Sequence, residues 1–241
     1  MALPGAKDFK QKPVVISLGG SMMFDDKGRV DRAYIRRFVS MLSGLKRKGE
    51  APSVIVGGGA VAKEFCEAVR ELTGNEFFAD RIGIASTRLN ALLLIIALGN
   101  DAYPKVVLDP DEGFHALQAG LIPVGAGMLE GMTTDADAVL LAQRLNAIRL
   151  INVSKVSGVY SADPVKNPKA KKFSSMTHVQ LTSLAAALDS RKARTNFVFD
   201  LVASKLAQRS NLELHFVDGR KIEEIEKAFV GARHSGTVVK D

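Results

Sequence analysis

Short apolar runs alternate with amphipathic stretches along almost the whole chain. Val14-Val15-Ile16-Ser17-Leu18 is uninterrupted apart from one serine and ends in Gly19-Gly20, which predicts a buried strand and a turn. Asp31 to Lys48 places Tyr34, Ile35, Phe38, Val39, Leu42 and Leu45 three to four residues apart. That spacing predicts an amphipathic helix, ended by Gly49. The unit then repeats. Ser53-Val54-Ile55-Val56 runs into Gly57-Gly58-Gly59, and a helix is predicted from Ala60 to Leu72. A helix from Ile84 to Leu98 follows, apolar almost all round from Leu89 and so expected to be covered inside the monomer or by another subunit.

Further on, the pattern predicts strands at Lys105–Leu108 and Leu121–Val124 with a short helix, Phe114–Ala119, between them. A helix is expected over Thr134–Leu145, with Asp135 and Asp137 near its positive end, and a strand over Arg149–Val153. A long Gly/Pro/Asp loop covers Ser154–Pro168. Helices at Leu181–Leu188, Leu201–Ser210 and Lys221–Phe229, and strands at Leu212–Val217 and Thr237–Val239, complete the pattern.

Most of these strands are runs of apolar residues rather than alternating ones. They are therefore buried on both faces, in a largely parallel sheet between helices: a three-layer α/β/α sandwich. No Pro/Ser-rich linker divides the chain. One domain over 13–241 is expected, with lobes at about 13–130 and 131–241 and a loose N-terminal arm over 1–12. Ligands of such sheets sit beyond the carboxyl ends of the strands.

Composition narrows the chemistry. The 241 residues are 46% hydrophobic and 24% charged, ample for a core without staples. The single cysteine, Cys66, excludes a disulfide framework and a multi-cysteine metal cluster, and in a helical pattern it reads as a small buried hydrophobe. His115, His178, His215 and His234 form no close pair or metal motif in the sequence and read as ordinary core-edge or surface residues. The longest apolar stretch, Ala91–Leu98, has eight residues, and no apolar leader opens the chain. A cytoplasmic protein without a membrane span is expected.

The formal net charge of +7 favours an anionic partner. The densest basic patch, Lys166, Lys169, Lys171 and Lys172, has no interleaved aromatic platform, and tryptophan is absent. Small phosphates are favoured over nucleic acid, beside the plainer reading of a solvated surface. Three glycine turns, Gly19-Gly20-Ser21, Gly57-Gly58-Gly59 and Gly125-Ala126-Gly127, follow apolar strands and would meet at one sheet edge as an anion site. Neither a Gly-x-Gly-x-x-Gly fingerprint nor a Gly-Lys-Ser/Thr turn occurs. Met132-Thr133-Thr134-Asp135 marks a helix entry where two hydroxyls suit phosphate, or where one is a plain cap. Asp80 and Arg88 bracket a polar ligand or serve as surface charges. Ser154 to Asp163 is a loop suited to cupping a nucleotide base.

These residues carry a family resemblance. VVISLGGS, IVGGGAVAKEF, DRIGIASTRLNALLLIIALG, AYP, TTDADAVLLAQ and SGVYSADPVKNPKAKK, in this order, resemble the amino acid kinase superfamily, most closely its archaeal-type uridylate kinase branch. The resemblance covers nearly the whole chain. It implies transfer of the γ-phosphoryl of ATP to UMP, with Mg2+, a cytoplasmic setting and a homohexamer built from dimers. By position, it implies that Gly19, Gly20 and Ser21 embrace the phosphates and that Gly59 faces ATP. Lys63, where an arginine is usual, would reach phosphate. Ser154, Lys155, Tyr160 and Asp163 would hold ATP, with the tyrosine beside the adenine. Gly58, Asp80, Arg88, Gly127, Met128, Gly131, Met132, Thr133 and Thr134 would line the UMP site, and Asp200 would organise the metal–phosphate end.

The chain departs from the family pattern at several of these positions. Lys155 and Ser157 replace an asparagine and an aspartate, Met128 and Met132 replace polar side chains, and Ser17 stands where many relatives keep a lysine. Lys155 would compensate for the arginine missing at position 63. A kinase with another phosphate or carboxylate acceptor, and a non-catalytic nucleotide-binding member, are the alternative readings.

Overall fold

The computed structural model describes residues 12–164, 167–188 and 199–241. The expected arm, apart from Lys12, and Lys166 of the basic patch lie outside the described residues.

Strand β1 (Val14–Leu18) is the centre of the molecule. It pairs in parallel with β2 (Pro52–Val56) on one side, Val14 against Pro52, and with β4 (Arg149–Ser154) on the other, Val14 against Arg149. β3 (Val124–Gly125) extends the sheet beyond β2. β6 (Glu213–Asp218), β7 (Thr237–Val239) and β5 (Ser175–Met176) extend it beyond β4, giving the order β3-β2-β1-β4-β6-β7-β5. β7 runs antiparallel to β6, while every other pairing is parallel. The chain moves outward from β1 to β3 and then returns to start β4 on β1's opposite side. The switch point, where such sheets open a crevice, therefore falls between β1 and β4.

Alternation along each strand builds two cores. Ile16, Leu18, Val54 and Val56 face α1 (Arg32–Arg47), α3 (Glu76–Leu98) and α8 (Ile222–Phe229), where Phe38, Leu42, Leu94 and Phe229 fill the layer. Val15, Ile55 and Leu150 face α5 (Thr134–Arg144) and α7 (Leu201–Ser210), with Leu117 of α4 (Pro110–Gln118) and Leu181 of α6 (His178–Leu188) added. Each such fully buried side chain contributes about 1.5–3 kcal/mol. The remaining helix, α2 (Gly59–Thr73), packs on α3, with Ala62 and Cys66 buried, as expected for the cysteine.

Helix starts are where periodicity misleads. α3 begins eight residues before Ile84, because Asn75 caps it by accepting from Phe77 N and Phe78 N. α4 begins at Pro110 rather than Phe114, because Asp109 accepts from Asp111 N and Glu112 N and proline suits the first turn. The expected Lys105–Leu108 strand reduces to a single bridge, Val107 to Gly125. Tyr103-Pro104 and the Asp109 cap confine that segment to a few residues.

As a helix, α3 is long and apolar enough to cross a membrane by length and composition. Its inner face, however, buries Ser86, Thr87 and Asn90, each hydrogen-bonded to protein, as in a core helix. Its outer face leaves Leu89, Leu92 and Ile96 exposed, so the described residues cover this segment on its inner face only.

The four histidines are not all isolated. His215 on β6 and His234 lie ring to ring, with His215 Nδ1 2.7 Å from His234 Nε2 and His215 Nε2 2.6 Å from Glu213 Oε1. Gly236 N donates to His234 Nδ1, 3.1 Å away. One assignment satisfies this chain: His234 donates to His215, and His215 donates to the Glu213 carboxylate, with both rings neutral. A further proton on either ring breaks a bond. Burial lowers both pKa values, and His234, with His215 beside it, drops to about 4. Unfolded histidine titrates near 6.5. The stability held in the pair is therefore intact above pH 6.5 and lost as pH falls towards 4. His234→Gln keeps one donor and one acceptor but cannot titrate. Its melting temperature is expected to fall less steeply than wild type between pH 6.5 and 4.5; parallel slopes in a pH series of thermal melts would remove the pair from the acid response.

Candidate functional site

The three glycine turns lie side by side, because β1, β2 and β3 are neighbours and all run the same way. Gly19 N donates to Val153 O at 2.8 Å, and Gly57 N to Leu18 O at 2.9 Å, so the first turn is tied to both flanking strands. The first two turns then interlock through bare backbone. A Cβ on Gly20 would overlap the Gly57 carbonyl, and one on Gly59 would sit 2.7 Å from Gly20 O. Gly59 also has φ +69°, a conformation side chains rarely adopt. Glycine is required here because two loops share one place. α2 starts at this junction with Gly58 as its N-cap and no side chain capping it, which leaves its first N–H groups for another acceptor.

α3 holds the second and third turns together. Asn90 Nδ2 donates to Gly57 O (2.9 Å) and Gly58 O (3.0 Å). Thr87 Oγ1 accepts from Gly127 N at 2.9 Å. Asp80 and Arg88 both lie within α3, rather than across a helix boundary, and grip the third loop. Gly131 N donates to Asp80 Oδ2 (3.2 Å), while Arg88 donates to Gly127 O (3.3 Å) and Met128 O (3.4 Å). Met128 and Met132 anchor the same loop from its other side by packing, partly buried, on the second core.

The loop ends at Thr133, the N-cap of α5, whose Oγ1 accepts from Ala136 N and donates to Asp200 Oδ2. Asp200 in turn caps α7, accepting from Ala203 N at 3.0 Å. Thr133's hydroxyl is thus engaged within the protein, whereas Thr134 follows as the first residue of α5. In the first turn of α5, Asp135 reaches the switch point. Its Oδ1 accepts from Ser17 Oγ on β1 (2.8 Å) and Asn152 Nδ2 on β4 (2.9 Å), two residues in register with each other. Loss of hydration outweighs these donors and, with Asp200 and Asp137 near, pushes Asp135 up to about 7. Asp137, buried and accepting from Met128 N at 3.1 Å, is pushed up to about 6, chiefly by burial.

On the other side of the switch point, Ser154 ends β4, and its carbonyl accepts from Gly219 N. Lys155 Nζ is 3.4 Å from both Phe24 O and Asp26 Oδ1, tying the segment after β4 to the loop after β1. Tyr160 bridges to Lys172, and Asp163 O accepts from Asn167 N, so the loop after β4 folds back on itself. Lys63, on the second turn of α2, is 71% exposed and 4.0 Å from Glu67, free to turn towards the glycine junction. Ser21 is exposed at the mouth of the first turn.

Sequence reasoning did not pick out Asn90, Thr87, Asn152 or the role of Asp135 between Ser17 and Asn152. The signal was a lone polar residue inside an apolar run, as with Ser17 in β1, Asn152 in β4 and Asn90 within Leu89–Leu98. A buried polar group needs a partner, and here the partners are the site's own turns and carboxylate.

The raised pKa of Asp135 has a definite sign. Between about pH 4 and 7 the folded protein holds a proton that the unfolded chain releases, so this contribution to stability is present at low pH and lost as pH rises through 7. Asp135→Asn keeps an acceptor for Ser17 and Asn152 without the charge. The ligand-free variant is expected to melt higher than wild type at pH 8 and to gain less at pH 5.5; an equal offset at both pH values would refute the buried-charge account.

Comparison with known proteins agrees with this geometry. Residues 12–218 match the model of the amino acid kinase family. The chain is 39% identical over 226 residues to a uridylate kinase of Methanospirillum hungatei, covering 94% of each chain. It is 40% identical over 227 residues to a uridylate kinase of Thermococcus onnurineus, covering 94% of this chain and 99% of that one. The crystal structure of uridylate kinase from Archaeoglobus fulgidus superposes with a TM-score of 0.81 at 38% identity, over 95% of this chain and all of the other. The chain belongs to the amino acid kinase family.

Proposed function

We propose that this protein transfers the γ-phosphoryl group of ATP to UMP, giving UDP and ADP, as a step of pyrimidine nucleotide metabolism. The observation that carries the reading is the backbone interlock of the Gly19-Gly20 and Gly57-Gly58-Gly59 turns at the carboxyl edge of β1 and β2. It puts two sets of main-chain amides and the uncapped start of α2 in one place. The named uridylate kinases, near 40% identity over almost the full length, supply the acceptor.

Phosphoryl transfer asks for positioning and charge neutralisation more than for covalent chemistry. The attacking atom is a phosphate oxygen already ionised near neutral pH, so no general base is required. Amides at Gly19-Gly20 and Gly58-Gly59 meet the transferring group, with Lys63 turned in from α2. Each well-aimed donor is worth about 2.7–4 kcal/mol, by analogy with an oxyanion-hole donor. The Gly127–Thr134 loop, set by Asp80, Arg88 and Thr87, receives UMP, with Thr134 nearest its phosphate. Ser154, Lys155, Tyr160 and Asp163 receive ATP. The parts of the sheet before and after residue 130 thereby serve as acceptor and donor lobes.

No group of three or more His, Cys, Asp or Glu able to hold a metal occurs among the described residues. A Mg2+ would arrive with the nucleotide and keep phosphate oxygens and water as most of its ligands. Asp200, whose two oxygens each accept one hydrogen bond and keep further acceptor capacity, and Asp135 are the carboxylates that would approach it. When bound, the ion neutralises phosphate charge. The exposed Leu89, Leu92 and Ile96 stripe of α3 is the contact proposed for the dimers of a homohexamer, in a cytoplasmic setting.

A panel assay with radiolabelled ATP against UMP, CMP, isopentenyl phosphate and carbamate tests the acceptor. Label is expected in UDP; transfer only to another acceptor, or nucleotide binding without transfer, would overturn the reading. Lys63→Ala is expected to lower the transfer rate at least tenfold, measured as kcat with both substrates saturating. Unchanged turnover would take Lys63 out of the reaction.

A further inference from the structure

Ser157 and Tyr160 touch each other in the segment that leaves β4. Their hydroxyl oxygens are 2.8 Å apart. Three positions separate them in sequence, so the chain between must double back. Gly158 makes that turn at φ +145°, where a Cβ would stand 2.6 Å from Thr237 Oγ1. Beyond it the backbone is pinned. Val159 is fully buried, its N–H donates to Thr237 Oγ1 at 2.9 Å, and its carbonyl accepts from Phe173 N at 2.9 Å. Tyr160 itself pairs with Lys172, whose ammonium donates to Ser235 O at 2.7 Å. The tyrosine is thus fixed at its backbone by β7's neighbours and at the far end of its ring by Ser157. A tyrosine has two soft side-chain torsions, and both are constrained here.

We propose that Ser157 is a positioning residue for the phosphoryl donor, acting through Tyr160: by holding the phenol it pre-sets the ring as a wall for the donor's base, and it leaves that base to be recognised by the ring rather than by the hydroxyl. This rests on the reading that Tyr160 borders the donor site. The ring is ordered before the nucleotide arrives, so binding does not have to immobilise it. Ser157 touches the hydroxyl as a neutral partner.

The test uses the full-length enzyme and separates KM for ATP from KM for UMP and from kcat. Ser157→Ala and Tyr160→Phe each delete the bond and are expected to raise KM for ATP about two- to tenfold, the range for freeing one side chain. In Ser157→Ala, KM for UMP and kcat at saturation should stay at wild-type values. The double variant should be no worse than either single one, since both remove the same bond. Ser157→Thr, which keeps a hydroxyl, should restore wild-type KM for ATP. Tyr160→Ala probes the underlying reading. If it raises KM for ATP while Ser157→Ala and Tyr160→Phe do not, the positioning role falls and the donor site stands. Additive effects in the double variant, or equal losses toward UMP, also overturn the positioning role. If Tyr160→Ala leaves KM for ATP unchanged, the donor-site reading at Tyr160 fails, and the role of Ser157 with it.

Discussion

The close approach of two backbones, Gly20 against Gly57 and Gly59, is the constraint on which the rest of the site depends. Parallel neighbouring strands end at the same level, so loops leaving them compete for the same space above the sheet. Here the competition is resolved by removing the side chains. With no Cβ at Gly20 or Gly59, the loops interlock, and amides that belong to different strands come to face one region. Any side chain at these positions would push the loops apart and take α2 with them, since that helix begins at the junction.

A second requirement is that the junction be held from outside the sheet, and α3 does this. Its inner face supplies Asn90 to the second turn and Thr87 to the third, while Asp80 and Arg88 fasten the loop that runs on to Thr133. Its outer face stays apolar and exposed along Leu89, Leu92 and Ile96. One helix therefore carries both the residues that fasten this loop and, on its opposite face, an exposed apolar stripe.

Across the switch point the arrangement is electrostatic. Asp135 accepts from Ser17 and Asn152, but loss of hydration, with Asp200 and Asp137 near, outweighs these neutral donors, which is why its carboxyl holds a proton so readily. Lys155 and Lys63 contribute positive charge further out, the first bonded to the loop after β1 and the second exposed on α2. The centre thus presents main-chain amides and a protonatable carboxyl rather than a fixed ion pair.

Much of the fold was legible in the chain. Continuous apolar runs at Val14–Leu18 and Arg149–Val153 mark strands buried on both faces, and three-to-four spacing marks α1, because these periods are fixed by local geometry alone. The glycine turns were legible for the same reason. Capped helix starts at Asn75 and Asp109, the short β5, and the lone bridge at Val107 were not, since a cap or a two-residue strand carries little periodic signal. Long-range pairings lay further from reach. That Ser17 meets Asn152 over Asp135, that Thr133 gives its hydroxyl to Asp200, and that His215 and His234 share a proton chain depend on strand order and helix placement. Sequence by itself determined which segments form strands, helices and open turns; only the tertiary structure decided which polar side chains face one another, because burial forces partners that chain distance does not reveal.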